Sequence, residues 1–120
     1  MGITSVDLFR SGNATSARLD KVRTQGPGRD VDTRMGMGGN LWVIANGKGI
    51  SCSSAVDPTW RGQPWKLLMG HTYSNLLIVW SDEPGHWVWQ PVQDMLLFEY
   101  VDALSSTLSK SARIHRPDWM

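Results

Sequence analysis

Residues 75–90 read Asn-Leu-Leu-Ile-Val-Trp-Ser-Asp-Glu-Pro-Gly-His-Trp-Val-Trp-Gln, and this stretch decides the fold class that the sequence predicts. β-branched and aromatic residues, which favour strands, are concentrated in both of its halves. The second half, 86–90, alternates with the period of two that is typical of a strand with one buried face. Residues 81–85, between the halves, end in the turn-forming pair Pro-Gly. The sequence therefore predicts an antiparallel hairpin of strands 76–80 and 86–90.

A helix is predicted directly after this hairpin. Pro91 ends the second strand, and Asp94 is a suitable N-cap for a helix over residues 95–108. The apolar residues that recur there at helical spacing are Met95, Leu97, Phe98, Val101, Leu104 and Leu108. We expect the helix to pack on the hairpin through this face. Residues 109–120 form a polar, basic tail that we expect to be ordered only in part.

The part of the chain before the hairpin predicts further short elements. Predicted strands cover 6–10, 41–45, 50–53 and 65–69, and a short helix with Asn13 as its N-cap covers 14–22. Residues 24–39 contain five glycines and one proline, so they predict a long loop, a feature that is usually functional or mobile. The fold class predicted is α+β, with mostly antiparallel short strands and two main helices.

Length, charge and cysteine content exclude several classes of protein. The chain has 120 residues, which predicts a single domain over 1–120. Its 12 basic and 11 acidic side chains give a net charge of +1, so charge gives no reason to propose a nucleic acid or an anionic membrane as partner. Cys52 is the one cysteine, which excludes an internal disulfide, and no zinc-ligand spacing is present. We therefore predict a cytoplasmic protein without a metal.

Tryptophan is unusually frequent, with seven residues in the chain. The structural interpretation is that most of the indoles fill the core of a small β-rich domain. The functional alternative is a noncatalytic module in which a tryptophan such as Trp60 or Trp65 stacks on a nucleotide or a carbohydrate.

Three charged or titratable residues have both a structural and a functional interpretation. Arg10 closes the first predicted strand, where it is either an exposed strand-end residue or a two-pronged donor to a phosphate. Lys48 lies between Gly47 and Gly49, in either an ordinary turn or a phosphate-binding one. His86 is either a structural hydrogen-bonding residue or a group that titrates near neutral pH in a site.

Several short motifs together resemble a known family. In chain order they are Leu8-Phe9-Arg10, then Ala45-Asn46-Gly47-Lys48-Gly49-Ile50-Ser51, then Gly85-His86, and finally Pro91, Met95 and Tyr100. This series resembles the Tse2-like ADP-ribosyltransferase-fold toxins. The resemblance implies a small ADP-ribosyltransferase-like domain that uses NAD as cosubstrate to modify a macromolecular target. It also implies an immunity or antitoxin protein as partner, and an effector secreted without a signal peptide.

The resemblance also implies roles for individual residues. Arg10 and Ser51 match two positions of the family's NAD site, and Lys48, Gly49 and His86 are predicted to bind NAD with them. Arg10 would hold the phosphate or ribose and Ser51 the nicotinamide ribose, so the two residues are expected to line one pocket.

At the junction after the last strand, where the wider fold has an acidic residue, this chain offers Gln90, Gln93 and Asp94. Gln93 is assigned to the catalytic set with Arg10 and Ser51, but a glutamine cannot supply negative charge. An NAD-hydrolysing or RNA-modifying enzyme on the same fold is a further alternative.

Overall fold

The computed structural model describes residues 2–12, 22–55, 63–67, 70, 72–108 and 112–113. The strands are β1 (Gly2–Ile3), β2 (Leu8–Gly12), β3 (Thr33–Met35), β4 (Leu41–Val43), β5 (Ile50–Ser53), β6 (Gln63–Leu67), β7 (Thr72–Tyr73), β8 (Leu77–Glu83), β9 (His86–Pro91), β10 (Met95–Leu96) and β11 (Ala112–Arg113). The α-helix, α1, covers Leu97–Leu108. A short 3-10 turn covers Met37–Gly39.

The strands form one large sheet and two small ones, and all recorded strand pairs are antiparallel. The six-stranded sheet has the order β11-β6-β2-β5-β9-β8. A three-stranded sheet has the order β10-β4-β3, and β1 pairs with β7. Strands β2 and β5 occupy the middle of the large sheet although they are far apart in sequence.

The predicted hairpin is confirmed, and its strands are longer than expected. The ladder of β8 and β9 runs from Leu77 opposite Pro91 to Glu83 opposite His86. The connection is therefore only Pro84-Gly85, in which Gly85 has a φ of 81° that favours glycine. An irregularity between Ser81 and Glu83 brings the strand ends together.

The described residues form a mixed α+β domain of mostly antiparallel strands with one α-helix, whereas the sequence predicted two. The predicted first helix, 14–22, lies outside the described residues except for Val22. The loop predicted over 24–39 is wrong in part, because β3 and the 3-10 turn lie within it. Strand β3 forms with β4 a hairpin that the glycine-rich residues 36–40 connect, so these glycines mark the connection between two strands.

Three further strands have bounds that differ from the prediction. Strand β2 covers Leu8–Gly12 instead of 6–10, because its ladder with β6 extends through Gly12 opposite Gln63. Strand β4 ends at Val43 instead of residue 45. Strand β6 covers Gln63–Leu67 instead of 65–69, and residues 68–69 lie outside the description.

The helix begins two residues later than predicted. Asp94 is not its N-cap, because its carboxylate accepts a hydrogen bond from the Ala45 backbone N–H at 2.9 Å. Instead, Glu99 Oε1 accepts the backbone N–H of Leu96 at 3.2 Å, so the third helical residue reaches back to the residue before the helix, as in a capping box. The helix packs mainly on β4, β7 and β10, and not on the hairpin as expected; it reaches β9 through Tyr100.

The core lies where the helix, the large sheet and the small sheets meet. Its largest fully buried side chains are those of Trp89, Tyr100, Ile50 and Leu104. The Tyr100 hydroxyl donates to the carbonyl oxygen of Trp89 at 2.6 Å and accepts the backbone N–H of Ile50 at 3.1 Å. The hydroxyl therefore bridges β5 and β9 at the start of their ladder.

Candidate functional site

The large sheet divides between its two central strands, β2 and β5. Among the described residues their ladder holds the single pair Phe9 opposite Ser53. By contrast, β2 pairs with β6 at five positions and β5 pairs with β9 at four. Arg10 spans the division, since its Nη1 donates to the backbone carbonyl of Ser51 at 2.5 Å.

A cavity of about 240 Å³ occupies this division. Its lining residues are Phe9, Arg10, Ser11, Ser51, Cys52 and Ser53. The expectation that Arg10 and Ser51 line one pocket is therefore met.

The side chains of Arg10 and Ser51 nevertheless lie on opposite faces of the sheet. Because successive side chains in a strand alternate, the pairing of Phe9 with Ser53 places Arg10 on the same face as Cys52, which is buried. The charge of Arg10 acts on the thiol of Cys52 and the hydroxyl of Tyr100, on the core side. Its Nε is buried and has no hydrogen-bond acceptor among the described residues. In this arrangement the guanidinium holds the backbone of Ser51.

A second cavity, of about 380 Å³, lies over the hydroxyl face of Ser51. Its lining residues are Arg23, Pro27, Gly28, Arg29, Asp30, Gly47, Lys48, Gly49, Ser51 and Val88. Ser51 and Val88 are opposite each other in the ladder of β5 and β9, so their side chains share a face. Ser51 lines both cavities, and the loop before β3 together with the turn at Gly47–Gly49 forms the walls of the second one.

Three cationic side chains surround this second cavity. Arg23 pairs with the buried carboxylate of Asp30, with its Nη2 at 3.3 Å from Oδ1 and its backbone N–H at 2.8 Å from Oδ2. Arg29 donates through Nε to Oδ1 of Asp32 at 2.5 Å, and Nζ of Lys48 lies 3.2 Å from Oδ2 of the same carboxylate. The side chains of Arg29 and Lys48 are 40% and 47% exposed, so both cations are accessible to a ligand.

Asp32 joins the two walls of the cavity. Besides Arg29 and Lys48, its carboxylate accepts a hydrogen bond from the Asn46 side-chain amide at 2.7 Å. Hydrogen bonds from Arg29, Asn46 and Lys48 lower the pKa of Asp32 from 3.8 to about 2. The carboxylate is therefore ionised at neutral pH, and this connection is lost only as the pH falls below 3.8 towards 2.

Gly49 lines the second cavity, but another contact explains why this position is glycine. A Cβ atom there would overlap the carbonyl oxygen of Trp89 on the adjacent strand. Gly47 has a φ of 93° and open space around it, so its backbone conformation is what favours glycine. Position 49 is therefore glycine because the backbone of Trp89 in β9 passes close to it. Position 47 is glycine because the turn there is left-handed.

The remaining two predicted site residues lie elsewhere. His86 begins β9 opposite Ser53, and it is not among the described residues that line either cavity. Gln93 is exposed after the end of β9 and likewise lines neither cavity. The structure therefore groups Ser51 with Arg10 in the first cavity and with Lys48 and Gly49 in the second, and leaves His86 and Gln93 apart.

None of the described tryptophans lines either cavity. Trp89 is fully buried, its Nε1 donates to Sγ of Cys52 at 3.2 Å, and its ring meets Tyr73 edge-on at 5.2 Å. Burial raises the pKa of the Cys52 thiol to about 11, although the charge of Arg10 and this hydrogen bond oppose the increase. The guanidinium of Arg34 lies over the Trp42 ring, with Cζ of Arg34 5.1 Å from the ring centre. The stacking role predicted for Trp65 therefore has no support at these cavities, and Trp60 lies outside the described residues.

Sequence reasoning did not identify Arg23, Arg29 and Asp30 as site residues. The last two lie in the glycine-rich region 24–39, whose length and composition did indicate a functional segment. The position of Arg29 depends on Asp32, which it contacts, and Asp32 in turn contacts Lys48 and Asn46, which lie further along the chain.

In the described part of the chain, no group of three His, Cys, Asp or Glu side chains is arranged to hold a metal ion. No helix among the described residues is long and apolar enough to cross a membrane. Comparisons with protein-family models, with curated proteins and with solved structures found no match.

Proposed function

We propose that this protein is a Tse2-like toxin with an ADP-ribosyltransferase-like fold, and that it binds NAD in the second cavity over Ser51. The observation that carries the proposal is the position of Ser51. This residue lines a cavity that holds three cationic side chains, and its backbone carbonyl is held by a fourth, Arg10. The motifs around Arg10 and Ser51 are also those on which the family resemblance depends.

The chemistry of the cavity walls suits a pyrophosphate. Arg29 presents a planar group with several donors, the geometry that matches two phosphate oxygens, and Lys48 adds a compact positive charge. Gly28 and Gly47 also line the cavity, and glycine permits a phosphate to approach the backbone closely. The volume of about 380 Å³ lies within the range of small-molecule sites, about 300–1,000 Å³.

Asp30 supplies the negative charge that Gln93 cannot. NAD, when bound, provides the ADP-ribosyl group and nicotinamide as the leaving group, and positive charge develops on the ribose as the bond between them breaks. Asp30 is the one carboxylate among the described lining residues, and its side chain is 7% exposed. A buried carboxylate stabilises such a developing charge. We assign this role to Asp30, and to Ser51 a hydrogen bond to the ribose.

Calorimetric titration with NAD and with ADP-ribose tests the binding part of the proposal. Arg29→Gln and Lys48→Gln each remove one charge from the cavity, and Arg34→Gln is the matched control because Arg34 lines neither cavity. Loss of one charge-assisted contact is worth about 1.5–3 kcal/mol, so each cavity variant should bind about 10-fold to 150-fold more weakly. Affinity equal in all variants, or no binding of NAD at millimolar concentration by the parent, contradicts the proposal.

Induced expression in a sensitive cell tests the toxin part. Asp30→Asn should relieve growth arrest, whereas Asp102→Asn, an exposed change on the helix, should not. Both variants should be compared with the parent in thermal melts, because Asp30 also holds Arg23. Growth arrest that persists in a folded Asp30→Asn variant excludes the catalytic role of this carboxylate. The cytoplasmic site of action, the macromolecular target and the immunity protein are parts of the same proposal.

A further inference from the structure

Strand β8 forms the outer edge of the large sheet. β8 is the terminal strand of the sheet, and within the described residues its only neighbour is β9. It has seven residues, Leu77–Glu83, and is the longest of the strands described. A long edge strand presents a row of unpaired backbone N–H and C=O groups that another strand can use.

The exposed face of this edge is apolar. Ile78 and Trp80 are two residues apart on one face and are 50% and 47% exposed. Proteins that keep such an edge unpaired place lysine, proline or a bulge along it. Residues 77–81 contain neither lysine nor proline, and the irregularity in the ladder lies beyond them, between Ser81 and Glu83.

We infer that β8 pairs with β8 of a second copy of this chain, antiparallel and with Val79 opposite Val79. In this register Ile78 of each copy lies opposite Trp80 of the other. Pairs of an aromatic and a β-branched residue are among the favourable cross-strand pairs, and here the same pair forms twice. The contact is symmetric and closes on itself, which is the commonest geometry of a homodimer. The result is a continuous twelve-stranded sheet across the twofold axis.

The distribution of charge selects this arrangement. The acidic residues of β8, Asp82 and Glu83, lie together at one end of the strand. Parallel pairing in register would place each acidic residue beside its own copy, and like charges directly opposite each other are destabilising. Antiparallel pairing about Val79 places the two acidic ends at opposite ends of the ladder. This inference does not depend on the proposed function, because β8 contributes no described residue to either cavity.

Sedimentation over a range of protein concentrations tests the dimer. The parent should change from monomer to dimer as concentration rises. Trp80→Lys and, independently, Ile78→Lys should each raise the dissociation constant by at least about tenfold, because each removes both cross-strand pairs and adds charge to the edge. Phe98→Lys is the matched control: Phe98 is 69% exposed but lies on the helix, so this change should leave the dissociation constant unaltered. A parent that is monomeric throughout, or a control variant that weakens association equally, overturns the inference.

Cross-linking tests the register. A cysteine at the twofold axis, Val79→Cys, faces its own copy at the distance of neighbouring strands. In Ser81→Cys the two cysteines would be four residues apart along the strands, roughly 13 Å, which is too far for a disulfide. The native Cys52 is buried. Under mild oxidation Val79→Cys should form a dimer and Ser81→Cys should not; equal yields, including none in either variant, contradict this register.

Discussion

Replacing Tyr100 by phenylalanine removes one hydroxyl group that joins the helix to two strands. This hydroxyl donates to the carbonyl oxygen of Trp89 and accepts the N–H of Ile50. Tyr100, Trp89 and Ile50 are all fully buried, so water cannot replace the lost partner. The Tyr100→Phe variant therefore leaves one donor and one acceptor unsatisfied in the core.

The expected loss of stability follows from these two groups. Each buried polar group that loses its partner costs about 1–3 kcal/mol, so the loss of two partners should lower the free energy of unfolding by about 2–6 kcal/mol. For a domain of 120 residues this corresponds to a fall in Tm of roughly 8–24 °C, with an unfolding entropy of about 2.1 cal/mol/K per residue.

Chemical denaturation of the parent, Tyr100→Phe and Tyr73→Phe is the suitable measurement. Tyr73 is the only other tyrosine, and its hydroxyl makes no hydrogen bond to the described residues. Tyr73→Phe should therefore cost less than about 1 kcal/mol. If Tyr100→Phe costs no more than Tyr73→Phe, the strands close directly on each other and the hydroxyl is not needed as a bridge.

The effect of pH provides a second check on Tyr100. Burial raises the pKa of its hydroxyl well above the usual value of 10, against a backbone hydrogen bond from Ile50 that lowers it. In the unfolded chain the hydroxyl ionises near its usual pKa of 10, whereas in the folded protein it ionises only at a higher pH. As the pH rises above 10, ionisation therefore stabilises the unfolded state relative to the folded state. The contribution of Tyr100 is complete below pH 10 and is lost above it. The difference in stability between the parent and Tyr100→Phe should therefore narrow above pH 10 and stay constant below it.

Three further experiments test separate parts of the structure. Glu99→Ala should lower the free energy of unfolding by about 0.5–1 kcal/mol, because it removes the hydrogen bond that caps the helix; an unchanged denaturation midpoint would contradict the cap. Gly49→Ala should lower the free energy of unfolding by roughly 3 kcal/mol, because the new Cβ overlaps the backbone of Trp89. Gly47→Ala should lower it by about 1 kcal/mol, because only the left-handed backbone conformation opposes the change. A larger loss of stability in Gly47→Ala than in Gly49→Ala, measured in thermal melts, would refute the packing argument. Cys52 should react with a thiol reagent at least about 100-fold more slowly in the native protein than in denaturant, since burial raises its pKa to about 11; equal rates would show that this part of the core is open.

Local sequence signals were sufficient to predict the hairpin but not the start of the helix. In the hairpin the turn residues and the alternation of side chains act within a few positions of each other, so strand type and pairing follow from one short stretch. At the start of the helix, Asp94 is a good N-cap by residue type. The structure uses its carboxylate for Ala45 and Arg34 instead, and both lie far earlier in the sequence. Tertiary contacts, which the local pattern does not contain, therefore decided this boundary.

The same limit applies to the candidate site. Arg10 and Ser51 were expected in one pocket, and they do line one. The sequence could not show that their side chains point to opposite faces, because facing depends on the register of two strands that are 41 residues apart. It also could not show that Asp30 faces the second cavity, since that follows from its pairing with Arg23 inside a segment that lacks periodicity.

The position of β5 explains which cations are available to a ligand. On one side β5 is held to β9 by four ladder pairs and by the Tyr100 bridge, whereas on the other it has one ladder pair and the hydrogen bond from Arg10. The guanidinium of Arg10 donates to the backbone carbonyl of Ser51 and lies on the core side of the sheet, so it acts first on the position of Ser51. Arg29 and Lys48, in contrast, present half-exposed cationic groups. Both contact the carboxylate of Asp32, and Arg29 also donates through Nη1 to the carbonyl oxygen of Gly26 at 3.1 Å. Phosphate recognition in the proposed site therefore depends on the loop before β3 and the turn before β5, while Arg10 keeps the strand beneath them in place.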